Sequence, residues 1–390
     1  MAIAQAVRAA RPRVIAAYPI TPQTHIVEFL AQMVADGELD AQYIRVDSEF
    51  SAASVAYGAA VTGVRTYTAS ASQGLALMTE VIYNIAGTRL PVVLTAANRQ
   101  LSAPIGLQPD HQDTMLLRDS GLIELYVESA QEAYDTHLQA FKIAEEPAVL
   151  LPAIVCVDGY ILTHVFEPVR TFTQEQVAAF LPDYRPQHYV TPEHPLVFGS
   201  YTDETTTLEV RYLAYQASMR AKEVIERVAQ EYRQCFGLYH GGLIDTYAMD
   251  DAEIVLIAMG SMVSTLREAV DGLRRRGQRV GLVKVRSFRP FPTEMLQGVL
   301  RGIGAVAVLD KGLSMGFQGI LGAEVKAALC NMPERPLVLG LLAGYGGREV
   351  TLEMVDQIAG MTYQALERGR VDEECTFVGL RREILPEGMP

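Results

Sequence analysis

Residues 14–24 read Val-Ile-Ala-Ala-Tyr-Pro-Ile-Thr-Pro-Gln-Thr, an apolar run followed by a proline-flanked turn and a helix start. An unbroken apolar run predicts a strand that is buried on both faces of a parallel sheet. Thr21 followed by Pro22 is typical of a helix N-cap and the first helical residue. The stretch therefore predicts a buried strand, a rigid turn and a helix, in that order.

The same change from strand to helix recurs along the first part of the chain. Short apolar runs predict further strands at Tyr43–Val46, Thr66–Ala69, Val92–Ala96 and Ala148–Leu151, in addition to Val14–Ala17. Helical periodicity lies between them at Thr24–Ala35, Phe50–Val61, Gly74–Ala86 and Gln131–Ala144. This alternation predicts an α/β domain with a doubly wound parallel sheet. Ligands bind such sheets at the carboxyl ends of the strands.

The pattern changes in the second part of the chain. Phe166–Tyr201 is rich in proline and predicts a surface connector, and Leu208–Tyr232 predicts a long helix. A smaller α/β unit follows over about Asp250–Ala365. Its predicted strands and helices are Glu253–Met259, Thr265–Arg275, Arg279–Lys284, Ala305–Leu309, Gly319–Leu329 and Leu337–Leu341. We therefore predict domains at residues 1–165 and 250–390, joined by the connector and helix of residues 166–249.

Composition excludes several classes of function. The chain has 390 residues with a formal charge of −13, which disfavours nucleic-acid binding and suits a cytoplasmic protein. The apolar runs are too short for the roughly 20 residues of a membrane span. The four cysteines and seven histidines are scattered without metal-binding spacing. We expect no metal site, iron–sulfur cluster or disulfide framework in this chain alone.

Polar residues gather where the predicted strands end. Thr21 follows the first strand, and Glu49 follows the second at the start of a helix, where the helix dipole stabilises a carboxylate. Small residues at Ser70–Gly74 would let a ligand approach the backbone. Arg99 ends a strand and is placed to bind a carboxylate bidentately. Each has a plainer interpretation: a helix cap for Thr21, a helix-terminal acid for Glu49, and a salt bridge to Asp110 or Asp113 for Arg99.

Taken together, these segments resemble the α subunits, or N-terminal domains, of pyruvate:ferredoxin oxidoreductase and related 2-oxoacid:acceptor oxidoreductases. The resemblance rests on the order YPITPxT, DSE, SQGL, NRxLSAPI and DHQD, and it continues through RDSG, DGYILTH, VRSFRPFP, SMGFQG and AGYGGREVT. It covers nearly the whole chain. It implies a doubly wound, pyrimidine-binding-type domain of a thiamine-diphosphate enzyme, followed by a smaller transketolase C-terminal-type α/β domain.

The resemblance also implies roles for individual residues. Glu49 would hydrogen-bond N1′ of the cofactor's aminopyrimidine, Arg99 would bind the substrate carboxylate, and Thr21 would orient the substrate. Ser72 and Gln73 would contact the cofactor with Glu49. The substrate pocket would be lined by Tyr18, Thr21, Arg99, Ile105 and Leu107.

Other parts of such an enzyme are missing from this sequence. No Gly-Asp-Gly motif is present for the Mg²⁺ that holds the diphosphate, and no cysteine run is present for [4Fe-4S] clusters. The resemblance therefore implies a β subunit carrying the diphosphate and Mg²⁺ site, and γ or ferredoxin-like δ subunits carrying clusters. Coenzyme A and ferredoxin, or a similar acceptor, would complete the reaction. The chain also begins later than the family's usual Gly-Asn-Glu segment, which we attribute to start-site choice or truncation.

Two positions bear on the substrate. Tyr18 and Thr21 argue against oxalate, because the oxalate-type relative differs at both places. Gly106-Leu107-Gln108 stands where pyruvate-type members carry bulkier residues, which leaves room for a larger substrate. Pyruvate is the leading prediction and a larger 2-oxoacid its main rival. The sequence hardly separates this function from that of a non-redox 2-oxoacid decarboxylase subunit. A scaffolding subunit with a degenerate site is a third alternative, but it predicts the loss of Thr21, Glu49 and Arg99, and all three are present.

Overall fold

The computed structural model describes residues 1–386 and 388, which divide into two compact units. The first unit comprises Met1–Asp245 and two later segments, Met259–Ser261 and Val285–Pro292. The second comprises Thr246–Ala258, Met262–Lys284 and the chain from Thr293 onward. These units are defined by compactness, so the functional domain limits at residues 165 and 249 stay a prediction.

The strands and helices alternate along the chain. The strands are β1 (Val14–Ala17), β2 (Gln42–Arg45), β3 (Thr66–Ser70), β4 (Val93–Asn98), β5 (Ile123–Tyr126), β6 (Ala153–Asp158), β7 (Ile244–Tyr247), β8 (Ile254–Ala258), β9 (Val280–Val285), β10 (Ser287–Arg289), β11 (Ala305–Asp310), β12 (Leu337–Leu342) and β13 (Thr376–Phe377). The helices are α1 (Ala2–Ala10), α2 (Thr24–Ala35), α3 (Glu49–Val61), α4 (Gln73–Gly87), α5 (Gln112–Met115), α6 (Ala130–Ala144), α7 (Gln174–Phe180), α8 (Thr207–Phe236), α9 (Met262–Arg275), α10 (Thr293–Val299), α11 (Ile320–Leu329) and α12 (Leu352–Arg368). Within residues 1–386 and 388, no helix is both long and apolar enough to cross a membrane.

The first unit is built on a seven-stranded sheet in the order β10-β5-β6-β4-β3-β1-β2. Its strand pairs are parallel except for β10, which pairs antiparallel with β5. Every residue of the central strands β3, β4 and β6 is buried, as expected for a sheet covered by helices on both faces. The predicted helices of this unit are present, and α2 begins and ends at the predicted residues.

Two local predictions for this unit are wrong. Ala148–Leu151 is not a strand, because Val149 and Leu150 donate their N–H groups back to the carbonyl of Glu146 in a turn. The Val149 side chain is buried at that turn, and the strand β6 begins only after it. Thr21 is not the N-cap of α2, because a turn that closes from Gln23 to Ile20 delays the helix until Thr24.

The connector of residues 166–201 is largely irregular, as predicted, apart from α7. Thr173 and Gln176 form a capping box that starts α7. The long helix α8 packs in the first unit through Asp135 of α6, which is fully buried. Asp135 accepts a 2.5 Å hydrogen bond from the Tyr232 hydroxyl and lies 2.7 Å from Nε2 of His240.

The second unit has a six-stranded sheet in the order β13-β12-β11-β8-β9-β7. The predicted strands and helices of this unit are all present, with ends shifted by a few residues at most. At the carboxyl end of β11, the buried Asp310 accepts the backbone N–H groups of Gly312 at 2.8 Å and Gly322 at 3.1 Å. A methyl group built on Gly319 would lie only 2.7 Å from Oδ2 of Asp310. Asp310 therefore fixes the loop between β11 and α11.

Candidate active site

The carboxyl ends of four neighbouring strands, β4, β3, β1 and β2, carry the predicted site residues. Thr21 follows β1, Glu49 follows β2, Ser72 follows β3 and Arg99 follows β4. Because these strands are parallel and adjacent, the loops that follow them meet along one edge of the sheet. The fold therefore brings the four predicted residues to the same edge.

Glu49 is the first residue of α3, as the sequence predicts. Ser48 caps the helix by accepting the Ser51 N–H at 3.1 Å, so the carboxylate of Glu49 lies in the positive end of the helix dipole. The residue is 8% exposed. Within the described part of the chain, its carboxylate has no side-chain hydrogen bond or ion pair. Glu49 is therefore a nearly buried acid without a protein partner.

Gly74 and Ser70 form a close-fitting cradle beside Glu49. A methyl group built on Gly74 would lie 2.3 Å from Oγ of Ser70 and 2.7 Å from both Cγ and Oε1 of Glu49. Ser70 is 1% exposed, and its hydroxyl has no hydrogen-bond partner among the described residues. Only glycine fits at residue 74 without displacing these groups. The cradle places an unpartnered hydroxyl and an unpartnered carboxylate side by side.

Arg99 is a buried cation that is held by backbone carbonyls. Its Nη1 donates to the carbonyl of Thr21 at 2.9 Å, and its Nε donates to the carbonyl of Gly106 at 3.1 Å. A guanidinium has five N–H donors, so these two bonds leave three for a ligand. The side chain is thus oriented by the turn after β1 and by its own loop, while much of its donor capacity stays available.

The three buried arginines among the described residues differ in their partners. Arg65 forms a bidentate ion pair with Glu145 at 2.5 and 2.7 Å, and Arg286 faces Glu132 at 3.4 Å. Arg99, which is 6% exposed, has no carboxylate partner in residues 1–386 and 388. The alternative interpretation of Arg99, a salt bridge to Asp110 or Asp113, therefore does not hold for the described residues.

Asp113 instead binds the backbone of the site loops. Its Oδ2 accepts the N–H groups of Ser72 at 2.9 Å and Arg99 at 3.0 Å. Its Oδ1 accepts Nδ2 of Asn98 at 2.8 Å and the N–H of Thr114 at 2.9 Å. Burial raises the pKa of Asp113 to about 6, and these donated hydrogen bonds oppose the rise.

Ser72 and Gln73 have partners within the chain. The Ser72 hydroxyl hydrogen-bonds the carbonyl of Gln100 and the side chain of Gln73, whose amide in turn donates to the Ser102 hydroxyl. Ser72 is completely buried, whereas Gln73 is half-buried. These bonds tie the loop after β3 to the loop after β4. The cofactor-binding role of both residues stays a prediction.

The remaining predicted pocket residues are at least partly exposed. Thr21 is exposed, and the side chains of Ile105 and Leu107 are 70% and 43% exposed. Tyr18 lines a cleft of about 640 Å³ beside α2 and β2, together with Tyr43. The space next to Gly106 is filled by Gln100, since a methyl group on Gly106 would lie 2.1 Å from Oε1 of Gln100. Contact of these residues with a substrate stays a prediction.

Three polar residues at this edge, Ser70, Asp113 and Gln23, were not predicted as site residues from the sequence. Gln23 donates to the carbonyl of Tyr18 at 2.8 Å, while its buried Oε1 has no partner among the described residues. Ser70 and Asp113 lie inside the segments that the sequence singles out. The sequence around these two residues does not show whether their side chains are buried or exposed, because their burial depends on how the loops fold.

Comparison with known proteins defines the family. A family model described as pyruvate flavodoxin/ferredoxin oxidoreductase, thiamine diphosphate-binding, matches residues 5–230. A second, described as pyruvate:ferredoxin oxidoreductase core domain II, matches residues 252–355. The chain belongs to the pyruvate flavodoxin/ferredoxin oxidoreductase family. The predicted fold class is confirmed: a doubly wound parallel-sheet domain followed by a smaller α/β domain of the transketolase C-terminal type.

Individual relatives agree with this assignment. The pyruvate synthase subunit PorA of Methanosarcina barkeri is 46% identical, over 98% of this chain and 96% of that one. The ketoisovalerate oxidoreductase subunit VorA of Pyrococcus horikoshii is 41% identical, over 98% and 96%. The solved 2-oxoglutarate:ferredoxin oxidoreductase from Magnetococcus marinus shares the fold with a TM-score of 0.68 at 17% identity, over 92% of this chain. The chain spans 64% of that solved chain.

The residues at the sheet edge fit the pyrimidine end of thiamine diphosphate. Glu49 offers a carboxylate with no side-chain hydrogen bond or ion pair among the described residues, and the buried Ser70 hydroxyl beside it also has no hydrogen-bond partner among them. A ring nitrogen of the aminopyrimidine can share one proton with a carboxyl group, so that one of the two donates the hydrogen bond and the other accepts it. For the diphosphate end the chain offers less, since among the described residues no group of three or more His, Cys, Asp or Glu side chains could hold a metal ion.

Proposed function

We propose that this chain is the α-type subunit that binds the pyrimidine end of thiamine diphosphate and the carboxylate of a 2-oxoacid, with pyruvate as the substrate. The overall reaction converts the 2-oxoacid and coenzyme A into acyl-CoA and CO₂. Two electrons leave the substrate and pass singly to iron–sulfur clusters on partner subunits. The family membership and the 46% identity to a pyruvate synthase subunit support this reaction class.

The buried, unpaired guanidinium of Arg99 is the observation that carries the proposal. Burying a cation without an anion is costly, so a protein keeps one where a ligand supplies the negative charge. The carboxylate of a 2-oxoacid is such a ligand, and the remaining Arg99 donors can bind it bidentately. The bond from Nη1 to the Thr21 carbonyl holds the guanidinium next to the residue whose hydroxyl would orient the substrate.

Glu49 is the second element of the proposal. Thiamine diphosphate supplies the carbon nucleophile that allows the bond to the substrate carboxylate to break. Glu49 would share its hydrogen bond with N1′ of the aminopyrimidine, and its burial strengthens that bond because the local dielectric is low. The absence of a side chain at Gly74 leaves room for this carboxylate beside the Ser70 hydroxyl. Glu49 thereby holds the proton whose position sets the tautomer of the ring.

The other predicted roles complete this proposal. Ser72 and Gln73 would position the loops around the cofactor, and Tyr18, Ile105 and Leu107 would border the substrate. A β subunit would bring the diphosphate and Mg²⁺ site, and γ or ferredoxin-like δ subunits the [4Fe-4S] clusters. Coenzyme A and a ferredoxin-type acceptor would act on the assembled complex, in the cytoplasm.

A larger 2-oxoacid is the second candidate substrate. The 41% identity to a ketoisovalerate oxidoreductase subunit over nearly the full length favours it. Against it, Gln100 fills the space that the missing side chain of Gly106 leaves, so the loop is less open than its sequence suggests. A change of one or two methylene groups alters binding by only about 1–3 kcal/mol, so a single loop position does not separate the two substrates.

The test uses the complex purified with its partner subunits, assayed by 2-oxoacid-dependent viologen reduction with pyruvate and with ketoisovalerate. Arg99→Lys keeps the charge but loses the fork of donors, so the KM for the 2-oxoacid should rise about tenfold or more, or about 1.4 kcal/mol. Glu49→Gln should lower kcat by at least about 100-fold. Arg301→Lys, at an exposed arginine, is the control and should change neither value.

Each competing function has its own result. An Arg99→Lys complex with an unchanged KM would remove the carboxylate-binding role. Full activity in Glu49→Gln would support a scaffolding subunit. Release of CO₂ without dye reduction, in a complex that lacks iron–sulfur absorbance, would support a non-redox decarboxylase. A higher kcat/KM for ketoisovalerate than for pyruvate would replace pyruvate by the larger substrate.

A further inference from the structure

A single buried carboxylate connects the loops that carry the proposed site. Asp113 lies in the short helix α5 and has no exposed surface. Through one oxygen, Oδ2, it accepts N–H groups from two different loops, at Ser72 after β3 and at Arg99 after β4. The two loops are therefore held at a fixed separation by one atom.

The second carboxylate oxygen strengthens this arrangement. Oδ1 binds the side-chain amide of Asn98, the last residue of β4, and the N–H of Thr114. Three of the four bonds thus reach Ser72, Asn98 and Arg99, which lie 14 or more residues away in sequence. Asp113 hydrogen-bonds neither the Arg99 guanidinium nor Glu49, and its direct link to Arg99 is the bond to the backbone N–H.

Ser72 needs such support. Its φ of 49° and ψ of −124° form a conformation that residues with a side chain rarely adopt. Conformations of this kind persist only where surrounding bonds hold them. The N–H bond to Asp113 and the hydroxyl bond to the Gln100 carbonyl supply that restraint. Both bonds also join Ser72 to the loop that carries Arg99.

We propose that Asp113 is a positioning residue for 2-oxoacid binding, which sets the guanidinium of Arg99 by holding the backbone of residues 72 and 99. The proposal rests on the carboxylate-binding role of Arg99 in the proposed function. Asp113 holds the backbone N–H of Arg99, and the carbonyls of Thr21 and Gly106 hold its guanidinium. Loss of the first restraint should misplace the fork of donors.

The carboxylate cannot be replaced by its amide. Each oxygen of Asp113 accepts two N–H donors, so the NH₂ group of an asparagine would face two donors in either orientation. Asp113→Asn therefore breaks at least two of the four hydrogen bonds while it keeps the volume of the side chain. The core stays filled, and the loops lose their common anchor.

The experiment measures kinetics of the assembled complex with Asp113→Asn and with Asp135→Asn. Asp135 is an equally buried aspartate that binds Tyr232 and lies near His240, so its variant reports the general cost of losing a buried carboxylate. We expect Asp113→Asn to raise the KM for the 2-oxoacid about tenfold, with kcat per cofactor-loaded site within about twofold of wild type. Asp135→Asn should leave KM unchanged. A lower kcat with an unchanged KM in Asp113→Asn would overturn the proposal.

A double-mutant cycle tests whether Asp113 acts through Arg99. Arg99→Ala removes the side chain that is to be placed, so adding Asp113→Asn should change kcat/KM by less than about twofold further. A full additional loss would overturn the proposal, because Asp113 would then act by another route. If Arg99→Ala alone leaves kcat/KM unchanged, the carboxylate-binding role fails. If it lowers kcat/KM but Asp113→Asn does not, only the positioning role fails.

Discussion

At the carboxyl end of each sheet, a buried aspartate holds the loops through hydrogen bonds to their backbone, but the sequence separation of the bonded residues differs between the two sheets. In each unit a buried aspartate accepts backbone N–H groups of the loops: Asp113 in the first unit and Asp310 in the second. Asp113 binds loops that follow two different strands. The bonds of Asp310 all go to the segment that follows its own strand, β11, up to the start of α11. The first edge is thus joined by long-range bonds and the second by local ones.

The two edges also differ in what they leave unsatisfied. At the first edge Glu49, Arg99 and the Ser70 hydroxyl are nearly or fully buried, yet within the described residues none has the partner that its charge or hydroxyl requires. At the second edge the buried Lys284 and Lys311 have partners, and Asp310 has its N–H donors. Buried polar groups without partners require an explanation, and a bound ligand is one. The comparison therefore supports the proposal that the first edge binds the ligand, whereas the described polar groups of the second edge are satisfied within the protein.

The largest contrast is expected from adding one methyl group at each edge. Gly74→Ala would push against Ser70 and Glu49, so it should lower the turnover of the assembled complex by about 100-fold, comparable to the loss of a catalytic group. Gly319→Ala would push against Asp310 and should lower thermal stability with kcat/KM unchanged. Viologen-linked turnover and thermal unfolding measure the two effects.

Gly58→Ala is the control for both variants. Gly58 lies in α3 with nothing within 4 Å of an added methyl group, so the change should raise helix stability by about 1 kcal/mol and leave turnover unchanged. Equal losses of turnover in the Gly74 and Gly319 variants would contradict the division of labour between the edges.

A smaller effect is expected from removing the local anchor. Asp310→Asn loses the carboxylate that holds Gly312 and Gly322, and a lost buried hydrogen bond costs about 1–3 kcal/mol. Hydrogen exchange of the β11–α11 loop should accelerate about 10- to 100-fold, while the amides of residues 70–75 and 98–100 keep their protection. Mass spectrometry of the complex can follow both regions. Faster exchange in both regions would show that the anchor is not local.

The last difference between the two edges concerns pH. Burial raises the pKa of Asp310 from 3.8 to about 7 and that of Asp113 to about 6. A carboxyl with a raised pKa in the folded state contributes stability that is complete below its unfolded pKa and is lost as pH rises through its folded pKa. The free energy of unfolding should therefore fall between about pH 4 and pH 7.

The two aspartates should be separable by their pH ranges. In Asp310→Asn the fall between pH 6 and 7 should become shallower, whereas in Asp113→Asn the change should be confined to pH below about 6. Denaturant unfolding at pH 5, 6, 7 and 8 measures the difference from wild type. If the free energy of unfolding of Asp310→Asn fell between pH 6 and 7 as steeply as that of the wild type, Asp310 would not be the group that titrates in this range.

Much of the fold could be predicted from the sequence because its signals are local. Apolar runs of strand length and helices of regular period gave α2 at its correct limits and every predicted element of the second unit. The errors arise where tertiary contacts decide. Val149 and Leu151 are as apolar as a strand, but the chain turns at Leu150, whose φ is 45°. β5 and β10 depend on pairing between residues far apart in the sequence.

The sequence allowed the residue types of the site to be predicted. It did not allow their hydrogen-bond and ion-pair partners to be predicted. Glu49 and Arg99 are recognisable because they follow predicted strands in an order that resembles the family's. The sequence could not tell whether Arg99 pairs with Asp113, because both outcomes satisfy the same residue pattern. The folded loops decide this: Asp113 turns its oxygens to the backbone and leaves the guanidinium without an acid. The importance of Ser70 and Gly74 likewise depends on distances that only folding creates.

The strand β10 has a consequence for how the protein is made. Residues 285–292 belong to the first unit, where β10 adds to the edge of β5 and the buried Arg286 faces Glu132 and binds the carbonyl of Gly242 at 3.0 Å. During synthesis, the first 245 residues leave the ribosome before this strand exists. Until then the edge of β5 stays open and Glu132 lacks its counter-ion, which makes the nascent unit prone to strand pairing with other chains. A protein fragment that ends after residue 245 would lack β10, so the edge of β5 should stay unpaired in it as well.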